Sequence, residues 1–330
     1  MSTIHQDDGH DDLEAASHGL RRDHGSLQLG IAGGFAAAVL YTASNIALRK
    51  SVAVDPMLVA AVKAAPTVLA LTPYLIWLRV QGEQAIPQKE LARRFVLVAL
   101  VGQVVGNGAF QVALGIIGLA ASVPITLGTM LIGSAVLGRV LLNEPVRIRT
   151  AISIAILIVA VLVLSQSERV GDSEATATAT SPAWLGVVCA MASGLAYALF
   201  SSKMRGAMRG GMTAASTMWI SGVTGSLVLW CIALYRLESG WWGEIPASLW
   251  QSMALGGVFN FVAFVALSRS LAILPVVAVN LINASQVAMA AVSGVFFFAE
   301  PVTQILVIGI SLTIAGLLVL VNRPSRIVER

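Results

Sequence analysis

The chain has 330 residues, of which 57% are hydrophobic and 12% charged, with a formal net charge of +4 and a mean hydropathy of +0.82. Soluble domains carry about 25% charged residues, so the composition excludes a soluble globular protein. With Lys63 set aside, the basic residues sit in the tails, in the connections or at the ends of apolar stretches, so the positive charge does not indicate nucleic acid as a partner.

Residues 1–27 are polar and acidic and contain all four histidines, His5, His10, His18 and His24. Their spacing matches no tight ligand pattern, and the segment lacks the basic start and apolar core of a signal peptide. A disordered cytoplasmic tail without a metal is expected. From residue 28 onward, apolar stretches of about 20 residues recur, the length that crosses a bilayer core of about 30 Å as helix. Segments such as "AISIAILIVAVLVL" do not alternate polar with apolar residues, as the strands of a barrel would. Ten spans are expected, at 28–49, 57–78, 94–116, 120–142, 148–166, 183–204, 212–235, 247–270, 275–299 and 302–322. The longest connection, "SERVGDSEATATATSPA", is rich in Ser, Thr, Ala and acids and reads as a linker between two sets of five helices. Cys189 and Cys231 fall inside spans, so neither a disulfide nor a reactive thiol is expected.

Arginine and lysine bias sets the orientation. With the N-terminus inside, the cytoplasmic segments hold sixteen basic residues: Arg21, Arg22, Arg79, Lys89, Arg93, Arg94, Arg139, Arg147, Arg149, Lys203, Arg205, Arg209, Arg269, Arg323, Arg326 and Arg330. The outside holds four, Arg49, Lys50, Arg169 and Arg236. Both termini are therefore expected in the cytoplasm. The outer segment "LESGWWGEIPASLW" supplies Trp241, Trp242 and Trp250 to an interfacial aromatic belt.

The two halves resemble each other. "GRVLLNEPVRIRTAISIAILIVAVLVL" parallels "SGVFFFAEPVTQILVIGISLTIAGLLVLV", each a small-residue helix, then Glu-Pro, then a last apolar helix. Upstream, "GNGAFQVALGIIGLAASVPI" parallels "FNFVAFVALSRSLAILPVV". Five helices is an odd number, so the second repeat inserts upside down, with Glu144-Pro145 facing the cytoplasm and Glu300-Pro301 the outside. The expected fold is an all-α polytopic membrane protein of ten transmembrane helices in two inverted five-helix repeats. The first repeat covers 28–166, an external linker 167–182, the second repeat 183–322, and a cytoplasmic C-terminal tail 323–330. Inverted repeats are typical of secondary transporters, whose site lies near the midplane where the repeats meet.

On these duplicated Glu-Pro corners, the "FQVALGIIGLAASVPI" and "FVALSRSLAILPVVAV" segments and "YTASNIALRKSVAVDPMLVAAVKAAP", the chain resembles a ten-helix member of the drug/metabolite transporter superfamily, EamA type. In that family the second helix usually begins after a proline and carries an arginine near its start. Pro56 matches, and Lys63 stands in the place of the arginine, a point donor where the family has a fork. The resemblance implies transport: family members export amino acids, other metabolites or toxic compounds, and some relatives exchange nucleotide sugars or phosphates.

Polar side chains inside the spans mark the candidate site. Gln103, Asn107 and Gln111 are spaced by four and share a stripe that drifts about 40° per step. Asn280, Asn283 and Gln286 are spaced by three. Tyr41, Thr42 and Asn45 lie on the first span, Ser193, Tyr197 and Ser201 on the sixth, and Asn260 on the eighth. Amides are costly against lipid, so these faces point inward, either to bond helix to helix or to line a substrate cavity. Cavity lining is the expectation for the two amide triples. Pro66, Pro124 and Pro275 and the glycines of the third span are compatible with hinges and equally with close packing.

Lys63 stands alone in "VAAVKAAPTVL", about six residues and 9 Å from the outer end of its helix. It either snorkels to the interface or faces the cavity and attracts a carboxylate or phosphate. No Asp, Glu or His lies mid-span, which removes the buried carboxylate needed to exchange protons for lipophilic cations. There is no catalytic motif, so the protein is expected not to be an enzyme and to need no cofactor. The reading is a secondary transporter of the cell (inner) membrane. It moves a small polar or amphiphilic metabolite, amino-acid-like or another zwitterion or anion, by alternating access in the export direction. The alternatives are drug or toxic-compound efflux, or else a channel or enzyme. Expected partners are the small-molecule substrate and the bilayer, and the chain works as a monomer or homodimer. The substrate-binding candidates are Lys63, Gln103, Asn107, Gln111, Tyr41, Asn45, Tyr197, Asn260, Asn280, Asn283 and Gln286.

Overall fold

A computed structural model describes residues 8–51, 53–85, 89–167, 182–237, 241–289, 292–293 and 304–321. Most of these residues are helical, and none of them lies in a strand. We label α1 Asp8–Arg49, α2 Pro56–Val80, α3 Lys89–Ile117, α4 Ile125–Leu142, α5 Ile148–Ser167, α6 Ala183–Arg209, α7 Ala214–Arg236, α8 Trp241–Glu244, α9 Ala247–Ile273, α10 Val276–Asn283 and α11 Gln304–Val321. Seven of the described helices are long and apolar enough to cross a membrane, and three shorter apolar runs lie at Ile148–Ala160, Val276–Met289 and Val307–Gly316. Leu69, Trp77, Val140, Leu195, Leu227 and Leu318 all stand exposed on the outer surface. A surface this apolar is matched to lipid rather than water.

Four sequence expectations change. Helical backbone reaches back to Asp8, where a disordered tail was expected up to residue 27. The stretch holds strong helix formers, and its acids lie toward the positive end of the helix dipole. The apolar, membrane-length part of α1 begins at Ser26. The expected ninth span is broken: α10 stops at Asn283, Ala284 and Ser285 form a turn, and helix resumes at 286–289. Asn and Ser compete for their own backbone and favour such interruptions. Trp241 packs inward with Leu48, Leu58 and Met253 and lies against Trp250 with ring centroids 6.0 Å apart, so it does not join a lipid-facing belt. The third span contains a π-helical stretch, Val101–Gly108.

Helical hydrogen bonding runs from Ala109 to Leu142, yet the chain doubles back within that stretch, as its neighbour α6 shows. Along α6, Gly186 lies against Ile116 and Ile117 and Phe200 against Gly102, an antiparallel pairing with α3. The same helix meets α4 in parallel, Gly194 against Thr129 and Met130 and Ala198 against Gly133. Helix α1 runs antiparallel to α9, with Gly30 on Ile273 and Leu274, and Gly256 on Leu48.

Two clusters mark the ends of the bundle. At one end Leu48, Val54, Leu58, Ala233 and Met253 join the end of α1, the start of α2, the end of α7 and the start of α9. At the other, Leu71, Phe95, Met204, Ala207, Leu271 and Val276 join α2, α3, α6, α9 and α10. Thus α1 finishes at the first end and α6 at the second, so the leading helices of the two halves run in opposite directions. The packing follows the same exchange. Pairs α1–α9 and α3–α6 swap when the halves are interchanged, as do α1–α10 and α4–α6, while α2–α7 and α5–α11 map onto themselves.

Candidate functional site

Asp55 caps α2: its Oδ1 accepts from the backbone N–H groups of Met57 (2.8 Å) and Leu58 (3.2 Å). Its Oδ2 pairs with Arg236 Nε at 3.0 Å, tying the start of α2 to the end of α7. A capped start, with Pro56 at the first helical position, fixes where Lys63 lies two turns on. Gly257 of α9 packs on the backbone of Lys63 and the ring of Pro66, so that an added Cβ would lie 3.3 and 3.0 Å from them. The lysine is 6% exposed. Its Nζ donates to Asn107 Oδ1 at 3.1 Å, and the side chain lines an internal cavity. The ammonium points inward and does not snorkel to the interface.

Asn107 is the hub of a chain of bonds. Its Oδ1 also accepts from the Tyr197 hydroxyl (2.7 Å). Its Nδ2 donates to Gln103 Oε1 (2.7 Å), and Gln103 Nε2 donates to Ser221 Oγ of α7 (2.7 Å). Both amides stand on the π-helical stretch, a wider backbone coil that recurs at functional sites. Its glycines admit the neighbours: an added Cβ would approach Phe200 at Gly102, and Tyr197 at Gly106, to 2.8 Å. The Gly106 carbonyl accepts from Ser193 Oγ at 2.7 Å.

The cavity holds roughly 900 Å³ of empty space, its open mouth included, and is lined by ten of the eleven candidates: Tyr41, Asn45, Lys63, Gln103, Asn107, Tyr197, Asn260, Asn280, Asn283 and Gln286. Both halves contribute. Gln111 is buried but lies off the cavity, and Phe110 takes the place that two steps of four assigned to it. Spacing of four and then three holds a helical face where four and four drifts off it. Single cysteines at 103, 107, 280, 283 and 286 are expected to react with a small water-soluble thiol reagent, in a background lacking Cys189 and Cys231. A cysteine at 111 should react at the rate of lipid-facing controls. Equal rates at all six positions would contradict the assignment.

The remaining lining is apolar or weakly polar; it includes Ser201, which the polar face of the sixth span anticipated, and Val123, Thr126, Leu127, Met130, Phe200, Phe264 and Leu267, which the sequence did not. An apolar residue in a membrane helix gives no sign of whether it meets lipid or a cavity. Among the described lining residues Lys63 is the one charged group, and none is Asp, Glu, His or Cys. The Asn280 Nδ2 and Asn283 Oδ1 atoms are buried without partners among the described residues. The arrangement offers a cation, several amides and two phenols beside aromatic surface, and suits a ligand with an anionic end and further polar groups. No group of His, Cys, Asp and Glu among the described residues could hold a metal ion.

Of the Glu-Pro corners, Glu300 and Pro301 lie outside the described residues. At the other corner Asn143 adopts φ 52°, the left-handed turn that Asn tolerates at a helix end. The turn aims Glu144 inward, where its Oε1 meets Arg205 Nε (2.7 Å) and the Arg209 guanidinium (2.9 Å). Its Oε2 accepts from the Val276 N–H (3.1 Å).

The model of the EamA-like transporter family matches this chain twice, over residues 28–166 and 184–322. The chain belongs to that family, and it is a multi-pass membrane protein of the drug/metabolite transporter superfamily. A protein of known crystal structure has a similar fold, with a TM-score of 0.65 at 16% identity over 88% of this chain and 96% of its own. No curated protein matches.

Proposed function

We propose that the protein is a secondary carrier of the cell membrane that exports a small polar or amphiphilic metabolite, amino-acid-like or another zwitterion or anion, by alternating access through the central cavity. The observation that carries this reading is the lone ammonium of Lys63, bonded to Asn107 in a cavity whose described lining holds no carboxylate. An ionised group inside a membrane protein is expensive and marks a substrate path, and an unneutralised one favours a substrate that supplies the missing negative charge.

In this reading ten spans form two inverted repeats with both termini in the cytoplasm. The opposite directions of α1 and α6, the exchange of packing partners between halves and the sixteen-to-four bias of basic residues support it. The three shorter apolar helices then belong to the fifth, ninth and tenth spans. The bilayer and the small-molecule substrate are its partners, and the chain works as a monomer or homodimer. The described lining holds no Asp, Glu, His or Cys, the side chains that most often act as base or nucleophile, which favours carriage over catalysis. Purified protein in liposomes should give saturable flux of a labelled amino acid or organic anion that protein-free vesicles lack. Chemical conversion of the substrate without flux would refute the proposal.

A further inference from the structure

Among the described residues Glu144 is the one buried carboxylate. It sits at the α4–α5 corner of the first half, and its ion pairs and its bond from the Val276 N–H all come from the second. Arg205 and Arg209 reach it from the end of α6, and the Val276 N–H from the start of α10. Arg205 also donates to the Leu271 carbonyl at the end of α9. One carboxylate therefore ties four elements of both halves together at one end of the bundle. The cavity is floored toward that same end. Phe200 and Phe264 line it and lie 5.9 Å apart between centroids, with Phe95 against Phe200 at 5.8 Å. The floor and the tie share their helices: Phe200 and Arg205 both stand on α6, Phe264 and Leu271 on α9.

We propose that the Glu144–Arg205–Arg209 cluster is the latch of a gate at this end, and that opening the cavity here requires Glu144 to release Arg205 and the Val276 N–H. The inference rests on the carrier reading in one respect, that a carrier must open this end. A carboxylate bonded to two guanidiniums and a helix N-terminus is held by charge-assisted bonds, which break together when α6 and α10 move away from the α4–α5 corner.

Two measurements test the latch. Ser201, on the cavity wall, is replaced by cysteine in a Cys189→Ser/Cys231→Ser background, and a membrane-impermeant maleimide is applied from the Glu144 side. Glu144→Gln keeps the size of the side chain and removes its charge. It should raise the initial labelling rate about tenfold, the effect of losing one charge-assisted bond. An unchanged rate in an inserted, stable protein would overturn the proposal. The second measurement leaves Glu144 intact and decides the matter if Glu144→Gln does not insert. A Cβ on Gly138 of α4 would lie 3.6 Å from Glu144 Oε2 and 3.7 Å from Val277 Cγ2 of α10, so a Gly138→Cys/Val277→Cys disulfide would join the halves beside the latch with the Glu144 side chain retained. Oxidation should abolish both labelling at 201 and flux, and a reductant, removed before the maleimide is added, should restore them, with labelling at 201 taken as the excess over the same double-cysteine protein that keeps Ser201. Labelling and flux that persist with the disulfide formed would overturn the latch. If no flux is found for any substrate, the carrier reading fails, and labelling before and after reduction still reports on the gate.

Discussion

Lys63→Met is expected to lower transport of an anionic or zwitterionic substrate about ten- to a hundredfold at equal membrane expression. Methionine keeps the length of the side chain and removes the ammonium. A hydrogen bond to a charged group contributes about 1.5–3 kcal/mol, which at about 1.4 kcal/mol per decade gives that range. The protein should still insert, since the change removes a buried charge and leaves Asn107 Oδ1 bonded to Tyr197. Lys63→Arg should recover part of the activity, because it restores the charge but has to seat a longer, planar group in a site shaped for a point donor. The loss should appear at sub-saturating substrate and shrink for a neutral analogue. Equal rates for wild type and Lys63→Met would reduce Lys63 to a packing residue.

Gly194→Val is expected to give the largest loss of stability, because α4 and α6 meet there across the two halves. An added Cβ would stand 2.9 Å from Thr129 Cβ and 3.0 Å from Met130 N. A backbone nitrogen cannot rotate away, so the helices have to part. Overpacking of this kind costs about 1–3 kcal/mol. The gain from replacing a helical glycine, about 0.5–1 kcal/mol, does not offset it. Separating α4 from α6 also weakens the bond from Thr126 Oγ1 to the Ala190 carbonyl, now 3.1 Å long. Gly115 has no atom within 4 Å of its added Cβ, so Gly115→Ala should be neutral or slightly stabilising. Thermal melting in detergent separates the two, and equal melting temperatures would contradict the packing described at Gly194.

Membrane class, helical fold and duplication were legible because they are carried by composition and by repetition along the chain. The ring of polar residues was legible for a related reason: an amide or a lysine in a membrane span has so few tolerable places that its presence nearly locates it. The same logic failed one turn later at Gln111, where two steps of four leave the face that Phe110 keeps. The apolar half of the cavity was invisible, because Phe200 and Phe264 look the same in sequence as a phenylalanine in lipid. The π-helical stretch was not legible either. Its glycines fit close packing equally well, and the rings they admit, Tyr197 and Phe200, come from a helix about ninety residues away. Arg205 and Arg209 were read only as positive charge near the cytoplasm. Their bonds to Glu144 cross more than sixty residues of chain, and no local pattern encodes a partner at that separation.

Counterflow through the purified protein tests the central claim most directly. Liposomes are loaded with a high concentration of unlabelled substrate, and a trace of labelled substrate is added outside. A carrier that exposes one cavity alternately to each side drives the label transiently above its equilibrium level, and Lys63→Met should slow that overshoot. Label that only equilibrates, at a rate proportional to its concentration without saturation, would identify an open channel and contradict alternating access.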